Sequence, residues 1–364
     1  MRKFSYIFVL FALLFCGCND NTLGLGDDGE QIVVPTKPYI YLDAGVSTKA
    51  TLVEGTVLAD NFGVYGFTYD FNNKWDTYKV TAKPNVFDNV PQDVTYNNGG
   101  YKYTPVKEWA GGKYTFFAYY PQDLKVSDAN DEGTPYLTYT PNLNNVGNHQ
   151  DIMTAMFEDT SLSSSPYVYF DFYHRLSAVD VVAMNFYEHS YSNSANSMVT
   201  EKVTIELVGL SLTFENVQYK SAKIFMDKRI ASERTSVDAG TKPNYEIYKE
   251  GSGYTLSIDY NDDSTLRPVT AFLGKSMIFI PQENTDLKVT TNVSYRKRRP
   301  GGEYLIDETD NDNVFTQKIV TPFNQALKEG SRYYLQMTFT SSAVSISIIT
   351  SDEWDDIKVD YEFD

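Results

Sequence analysis

Thiols are almost absent from this chain. Its 364 residues hold two cysteines, Cys16 and Cys18, both in one window near the start. No disulfide framework can therefore staple the remainder. Histidine is nearly as scarce, with only His149, His174 and His189. No pair of them has the close spacing of a zinc site. No metal or cofactor is expected. Basic charge is in deficit, with a formal net charge of −17. That argues against nucleic acid as a partner, because affinity there comes from neutralised phosphates. The same charge disfavours non-specific adhesion to anionic membranes. No Gly-x-Ser-x-Gly elbow and no phosphate loop occurs, so no enzyme is expected. No long stretch carries apolar residues at spacings of three and four with helix caps, which speaks against a helical fold.

The one sustained apolar run is Phe4 to Phe15, preceded by Arg2-Lys3 and followed by Cys16-Gly17-Cys18. This is the layout of a secretory signal peptide. It falls short of the roughly 20 apolar residues of a membrane-spanning helix. Gly17 directly before Cys18 resembles a bacterial lipobox. That resemblance implies a leader over 1–17 and lipidation of Cys18, hence an anchor in the outer membrane. The alternative is an ordinary signal peptide with incidental cysteines. Residues 18–37 read as a tether, since Asn19 to Glu30 is polar, Gly-rich and acidic with little to bury. An acidic stretch just after the lipid cysteine also resembles the surface-export signal of Bacteroidetes lipoproteins.

Aromatic residues are plentiful: 29 Tyr and 22 Phe bring the aromatic share with Trp to 15%. They suit a pleated, half-buried surface. Thr56 to Phe71 carries Val57, Phe62, Val64, Tyr65 and Phe67. Val94-Thr95-Tyr96 and Tyr101-Lys102-Tyr103 flank Asn97-Asn98-Gly99-Gly100, whose Asn-Gly step suits a tight hairpin. Lys113 to Tyr120 is a nearly all-aromatic strand that stops at Pro121. Val168, Phe170 and Phe172 alternate, as do Val203, Ile205 and Leu207, and Tyr254, Leu256, Ile258 and Tyr260. Met277 to Ile280 is a short buried-type run, and Val344, Ile346 and Ile348 alternate with Ser345 and Ser347. Many short strands at this spacing predict an all-β chain built as sandwiches. Ser161 to Pro166 has nothing to pack and predicts a boundary between domains over 38–163 and 164–364.

Five stretches in order resemble the fimbrillin-like proteins of Bacteroidetes, the subunits of type V pili. They are Ser47-Thr48-Lys49-Ala50; Asn61 to Phe67; Trp109 with Tyr114 to Pro121; Asp151 to Ala155 with Phe170 to Ser177; and Ile278 to Gln282. The resemblance implies two transthyretin-like β-sandwich domains in tandem. It implies a pilus subunit or surface adhesin, exported as a lipoprotein and found in the fimbrium after processing. It further implies cleavage after a basic residue, removal of an N-terminal strand and filling of the vacated groove by a strand from another fimbrial subunit. Carried onto this chain, the cut falls at Lys49–Ala50. Pro38 to Val46 is the removable strand, with Ile40, Leu42 and Ala44 on one side and Tyr39, Tyr41 and Asp43 on the other. The alternative is a permanent first strand in a protein that stays anchored. The donor-strand candidate is Val344, Ile346 and Ile348 with Trp354 as an anchor, the alternative being an ordinary last strand. The final Asp355 to Asp364 reads as solvated.

A second reading is a stationary surface lipoprotein that binds a glycan, host matrix or another bacterial surface through Trp75, Trp109 and Trp354. Each tryptophan can equally be core. His174 is expected to be structural, while His149 and His189 fall in polar loops. Asp128 to Gly133 imitates the start of a calcium loop, but the twelfth position would be Tyr139 rather than the required Glu. The acidic group Asp307, Glu308, Asp310 and Asp312 and the run Arg296 to Arg299 read as solvated hairpin ends. Weak calcium binding at the first, and a protease-sensitive loop or acidic-neighbour contact at the second, are the functional alternatives. Asp263-Ser264-Thr265 resembles a short Bacteroidetes O-glycosylation motif.

Overall fold

The structure is a computed structural model that describes residues 22–25, 31–33, 39–46, 58, 60–79, 82–127, 134–163, 166–251, 255–261, 271–306 and 313–351. It is almost entirely β, as the composition predicts. The first part contains β1 (Thr22–Leu25), β2 (Gln31–Val33), β3 (Tyr41–Val46), β4 (Phe62–Tyr69), the single-turn helix α1 (Trp75–Tyr78), β5 (Gln92–Asn97), β6 (Gly100–Lys102), β7 (Lys113–Tyr120), β8 (Tyr136–Tyr139), β9 (Met153–Thr160) and β10 (Tyr167–His174). The second part contains β11 (Ser177–Phe186), β12 (Glu188–Ser192), β13 (Met198–Lys202), β14 (Thr204–Glu215), β15 (Tyr219–Phe225), β16 (Glu233–Ser236), β17 (Asn244–Lys249), β18 (Ser257–Ile258), β19 (Ala271–Phe272), β20 (Met277–Phe279), β21 (Lys288–Arg298), β22 (Phe315–Pro322), β23 (Ser331–Thr340) and β24 (Val344–Ser351).

A seven-stranded sheet runs in the order β3-β10-β9-β7-β4-β5-β6. The aromatic strand β7 lies near its middle and is buried on both faces, which explains its continuous apolar run. Phe116 and Ala118 join one core with Phe62, Val64 and Phe170. Phe117 and Tyr119 join another with Tyr65, Phe67 and Trp75. Gly66 on β4 has no room for a side chain, because a Cβ there would sit 2.7 Å from Val86 Cβ. The β5–β6 hairpin closes as the Asn-Gly step requires, with Asn97 opposite Gly100 and positive φ at Asn98 and Gly99.

The second part is a sandwich. One sheet orders β19-β11-β23-β24, with β20 also on β11; the other orders β17-β14-β21-β22, with β18 on β14. Their facing residues share a core that includes Val181, Ile205, Leu212, Val293 and Leu335. Among the described residues 255–260, Ser257 and Ile258 form a strand.

The division expected at 163/164 is displaced. β10 follows it in sequence yet pairs with β3 and β9, so the chain leaves the first sheet only at Arg175-Leu176. The Ser161–Pro166 stretch falls between β9 and β10, which pair with each other, and a loop within a sheet can have the composition of a linker. The two parts also share a further, three-stranded sheet, β16-β15-β8, in which β8 of the first part pairs with β15 of the second.

Candidate functional site

The feature that bears on function is the sheet edge formed by β3. Its alternation places Ile40, Leu42 and Ala44 at 1%, 7% and 2% exposure inside the first core, beside Val168, Phe170 and Phe172 of β10. Tyr39, Tyr41 and Asp43 face outward, and the Tyr41 and Tyr167 rings meet at 5.3 Å. Burying those three apolar side chains contributes about 5 kcal/mol. The slot they fill is lined by aromatic rings, with Phe62 at 5.7 Å from Phe170 and 5.4 Å from Phe172. Within a sheet whose other pairings are antiparallel, β3 runs parallel to β10, from Tyr41 opposite Tyr167 to Val46 opposite Phe172. Its other side meets the β5–β6 hairpin and the loop that follows. Ile40 N–H donates to the Lys107 carbonyl (2.9 Å), Tyr103 OH to the Ile40 carbonyl (2.8 Å) and Tyr101 OH to the Ala44 carbonyl (3.3 Å). Burial raises the pKa of both hydroxyls, Asp43 adding to the effect at Tyr101. They therefore remain donors.

Cys18, Lys49 and Ala50 lie outside the described residues, as do Trp354, Asp128 to Gly133, Asp263 to Thr265 and Asp307 to Asp312. Val344, Ile346 and Ile348 are described, and they occupy the inward face of β24. There they lie opposite Phe339, Met337 and Leu335 of β23. The structure thus brings the candidate donor residues into their own sandwich and leaves them far in topology from β3.

Trp75 is fully buried and Trp109 is 6% exposed, so neither offers a stacking face to a glycan. Trp109 instead packs on Tyr114 at 4.8 Å and donates to the Pro166 carbonyl at 3.3 Å. His174 Nδ1 meets Asp151 Oδ2 at 2.5 Å, a structural contact across the β9–β10 region. His149 lies in the loop before β9, as expected, and its ring is held at both nitrogens. Its Nδ1 accepts from Ile278 N–H (2.7 Å) and its Nε2 donates to the Asn142 carbonyl (2.8 Å), joining the two parts of the fold. Burial lowers its pKa. His189 is not in a loop: it lies on β12 opposite Glu201 of β13, because the polar 188–202 stretch closes on itself as a hairpin, and its ring stacks on Tyr191 at 5.5 Å.

The basic run is paired within the chain. Arg296 meets Glu250, Arg298 meets Glu206 and Arg299 meets Glu201, at 2.5, 2.6 and 2.7 Å. Lys297 sits over the Phe315 ring at 3.6 Å. Arg175, not singled out by any motif in the sequence, is fully buried and donates to Glu329 (2.7 Å), Thr154 (2.9 Å) and the Phe225 carbonyl (2.6 Å). It pins the first sheet to the second part. The signal was a lone arginine directly after an apolar strand. The roles of Tyr101 and Tyr103 are equally unmarked, since both read only as one arm of a hairpin.

Comparison with known proteins agrees with this architecture. A curated relative is the fimbrium subunit Fim1C of Phocaeicola vulgatus, 24% identical over 96% of this chain and 95% of its own length. A fimbrial protein of Bacteroides vulgatus has a similar fold, with a TM-score of 0.57 at 20% identity, covering 87% of this chain and 99% of that one. The family profile described as fimbrillin-like matches residues 48–354. The chain therefore belongs to the fimbrillin-like family.

Proposed function

We infer that this protein is a subunit of a surface fimbria that is delivered as a lipoprotein through Cys18 and assembles by strand exchange. Cleavage between Lys49 and Ala50 releases β3, and an extended segment of a neighbouring subunit takes its place. Each unit is of the transthyretin-like type, and partner subunits are joined by β-strand addition, in which main-chain bonds give pairing and alternate side chains fill the groove. The observation that carries this reading is β3 itself. It is an edge strand, its apolar side chains complete a core, and its end leads to Lys49 three residues beyond Val46.

The donor is better placed beyond β24 than within it. Val344, Ile346 and Ile348 would have to leave an eight-residue antiparallel pairing. The tail that follows alternates Ile357, Val359, Tyr361 and Phe363 with Lys358, Asp360, Glu362 and Asp364. That is the period-two pattern an inserted strand needs.

Limited trypsin treatment of residues 19–364, followed by N-terminal sequencing and negative-stain electron microscopy, tests the reading. A new terminus at Ala50 together with fibres or a ladder of oligomers supports it. A folded monomer that is cut there and never assembles favours a stationary surface lipoprotein. Replacement Lys49→Ala is expected to block maturation, and normal fibre assembly by that variant would sink the Lys49 assignment.

A further inference from the structure

In an extended strand the N–H and C=O of one residue point to the same side of the sheet plane's edge, and successive residues alternate between the two sides. Tyr41 N–H donates to the Pro166 carbonyl at 3.1 Å, so the main chain of Tyr41, Asp43 and Gly45 addresses the β10 side. Ile40, Leu42 and Ala44 therefore present their main chain to the opposite side, where an exposed edge would normally face water. Here that side is covered. Tyr103 OH donates to the carbonyl of Ile40, and the single proton of Tyr101 OH is shared between the carbonyl of Leu58 and that of Ala44 at 3.3 Å, four residues on from Ile40. Ala44 N–H is satisfied by Asp43 Oδ1 at 2.8 Å.

Both tyrosines are fixed without help from β3. Tyr103 accepts from Lys107 N–H at 3.2 Å and packs edge-on against Phe87 at 5.4 Å. Tyr101 is wedged between Phe62 and Tyr96, each at 5.2 Å, and also donates to the Leu58 carbonyl. Leu58 lies beyond Lys49 in the chain, so that bond survives cleavage. Departure of β3 then leaves Tyr101 its Leu58 acceptor and Tyr103 its Lys107 donor, which keeps both rings in position to receive another strand.

We propose that Tyr101 and Tyr103 form a main-chain clamp that holds whichever extended segment occupies the β3 position. For the incoming segment this rests on the strand-exchange reading above. The clamp binds carbonyls, which every residue has, so it tolerates a change of sequence in the occupant. Selection is left to the side-chain slots filled here by Ile40, Leu42 and Ala44. The groove thus has two polar walls, the β10 ladder on one side and the two phenols on the other.

The test uses Tyr101→Phe, Tyr103→Phe and the double variant in residues 19–364, because phenylalanine keeps the rings and removes only the hydroxyls. Hydrogen exchange on the uncut chain reads the clamp alone. Amides of 41–46 are expected to exchange about tenfold faster in the double variant, the scale of one or two lost hydrogen bonds, while those of 344–351 are unchanged. Unaltered exchange at 41–46 overturns the clamp. The trypsin-cut chain is then titrated with labelled peptides matching 38–47 and 353–364. A loss of affinity by about tenfold for both peptides supports main-chain recognition. A loss confined to 38–47 overturns it for incoming strands. Failure of the cut wild-type chain to bind either peptide overturns strand exchange, and with it the role toward incoming strands, while the exchange data still decide how β3 is held.

Discussion

β3 and β24 look alike in sequence and differ in how they are attached. Both are edge strands with alternating apolar residues, and both set three of them into a core. β24 follows β23 through a short turn, closed by Thr340 N–H donating to the Ala343 carbonyl at 3.0 Å, and pairs antiparallel over its whole length. β3 pairs in parallel with a strand far along the chain, and a separate set of side chains and loop atoms closes its outer edge. The ease of removing a strand therefore depends on its connections more than on its hydrophobicity. A hairpin partner is held locally, whereas β3 keeps only what the folded sheet gives it.

A charge placed in each strand should separate the two most strongly. Leu42→Asp places a carboxylate against a face lined with phenylalanines, where burying it costs several kcal/mol. The strand is expected to detach instead, at a cost near the burial it forfeits, about 5 kcal/mol. Ile346→Asp, at a half-buried site, is expected to cost about 2 kcal/mol and leave β24 paired. Urea unfolding with hydrogen exchange over 41–46 and 344–351 distinguishes the two. Equal losses, with both strands released, would remove the contrast.

A smaller effect is expected where the two parts of the fold meet. His149 accepts an N–H bond from Ile278 through Nδ1, so protonation of that nitrogen breaks the bond. Its folded-state pKa lies below the ordinary histidine value because of burial. The unfolded chain therefore takes up a proton first, and stability falls as pH drops through about 6.5 and below. His149→Gln is expected to flatten the dependence of the unfolding midpoint between pH 7 and pH 5. A slope unchanged by the substitution would assign that dependence to other groups. Smallest of all is Arg299→Ala. The Arg299–Glu201 pair is a half-buried surface pair, and Arg299 holds the Glu201 pKa down to about 2. At most a small shift of the midpoint is expected at neutral pH, and a large one would give the basic run a structural weight that surface pairs rarely have.

Much of the fold was readable from local patterns. β7 and the β5–β6 turn fall where aromatic content and the Asn-Gly step place them. The inward and outward faces of β3 follow from period two. What stayed hidden depends on long-range pairing. Nothing in Ser161 to Pro166 distinguishes a loop within a sheet from a linker between domains. Trp75 and Trp109 gave no hint of burial, because a tryptophan on a core face and one on a glycan platform read alike. The phenols over β3 were unreadable for a deeper reason. Their partners are main-chain carbonyls, which leave no mark in a sequence.

The parallel pairing of β3 with β10 also sets an order of events in folding. β3 is made before the strand it pairs with, and all of β4 to β9 must be made before β10 exists. Closing so long a loop is paid for in chain entropy before any contact rewards it, so β3 docks after the local hairpins have formed. The rest of the sheet is therefore organised around a gap before β3 arrives. A fold that waits for one of its strands has already rehearsed the state in which that strand is missing.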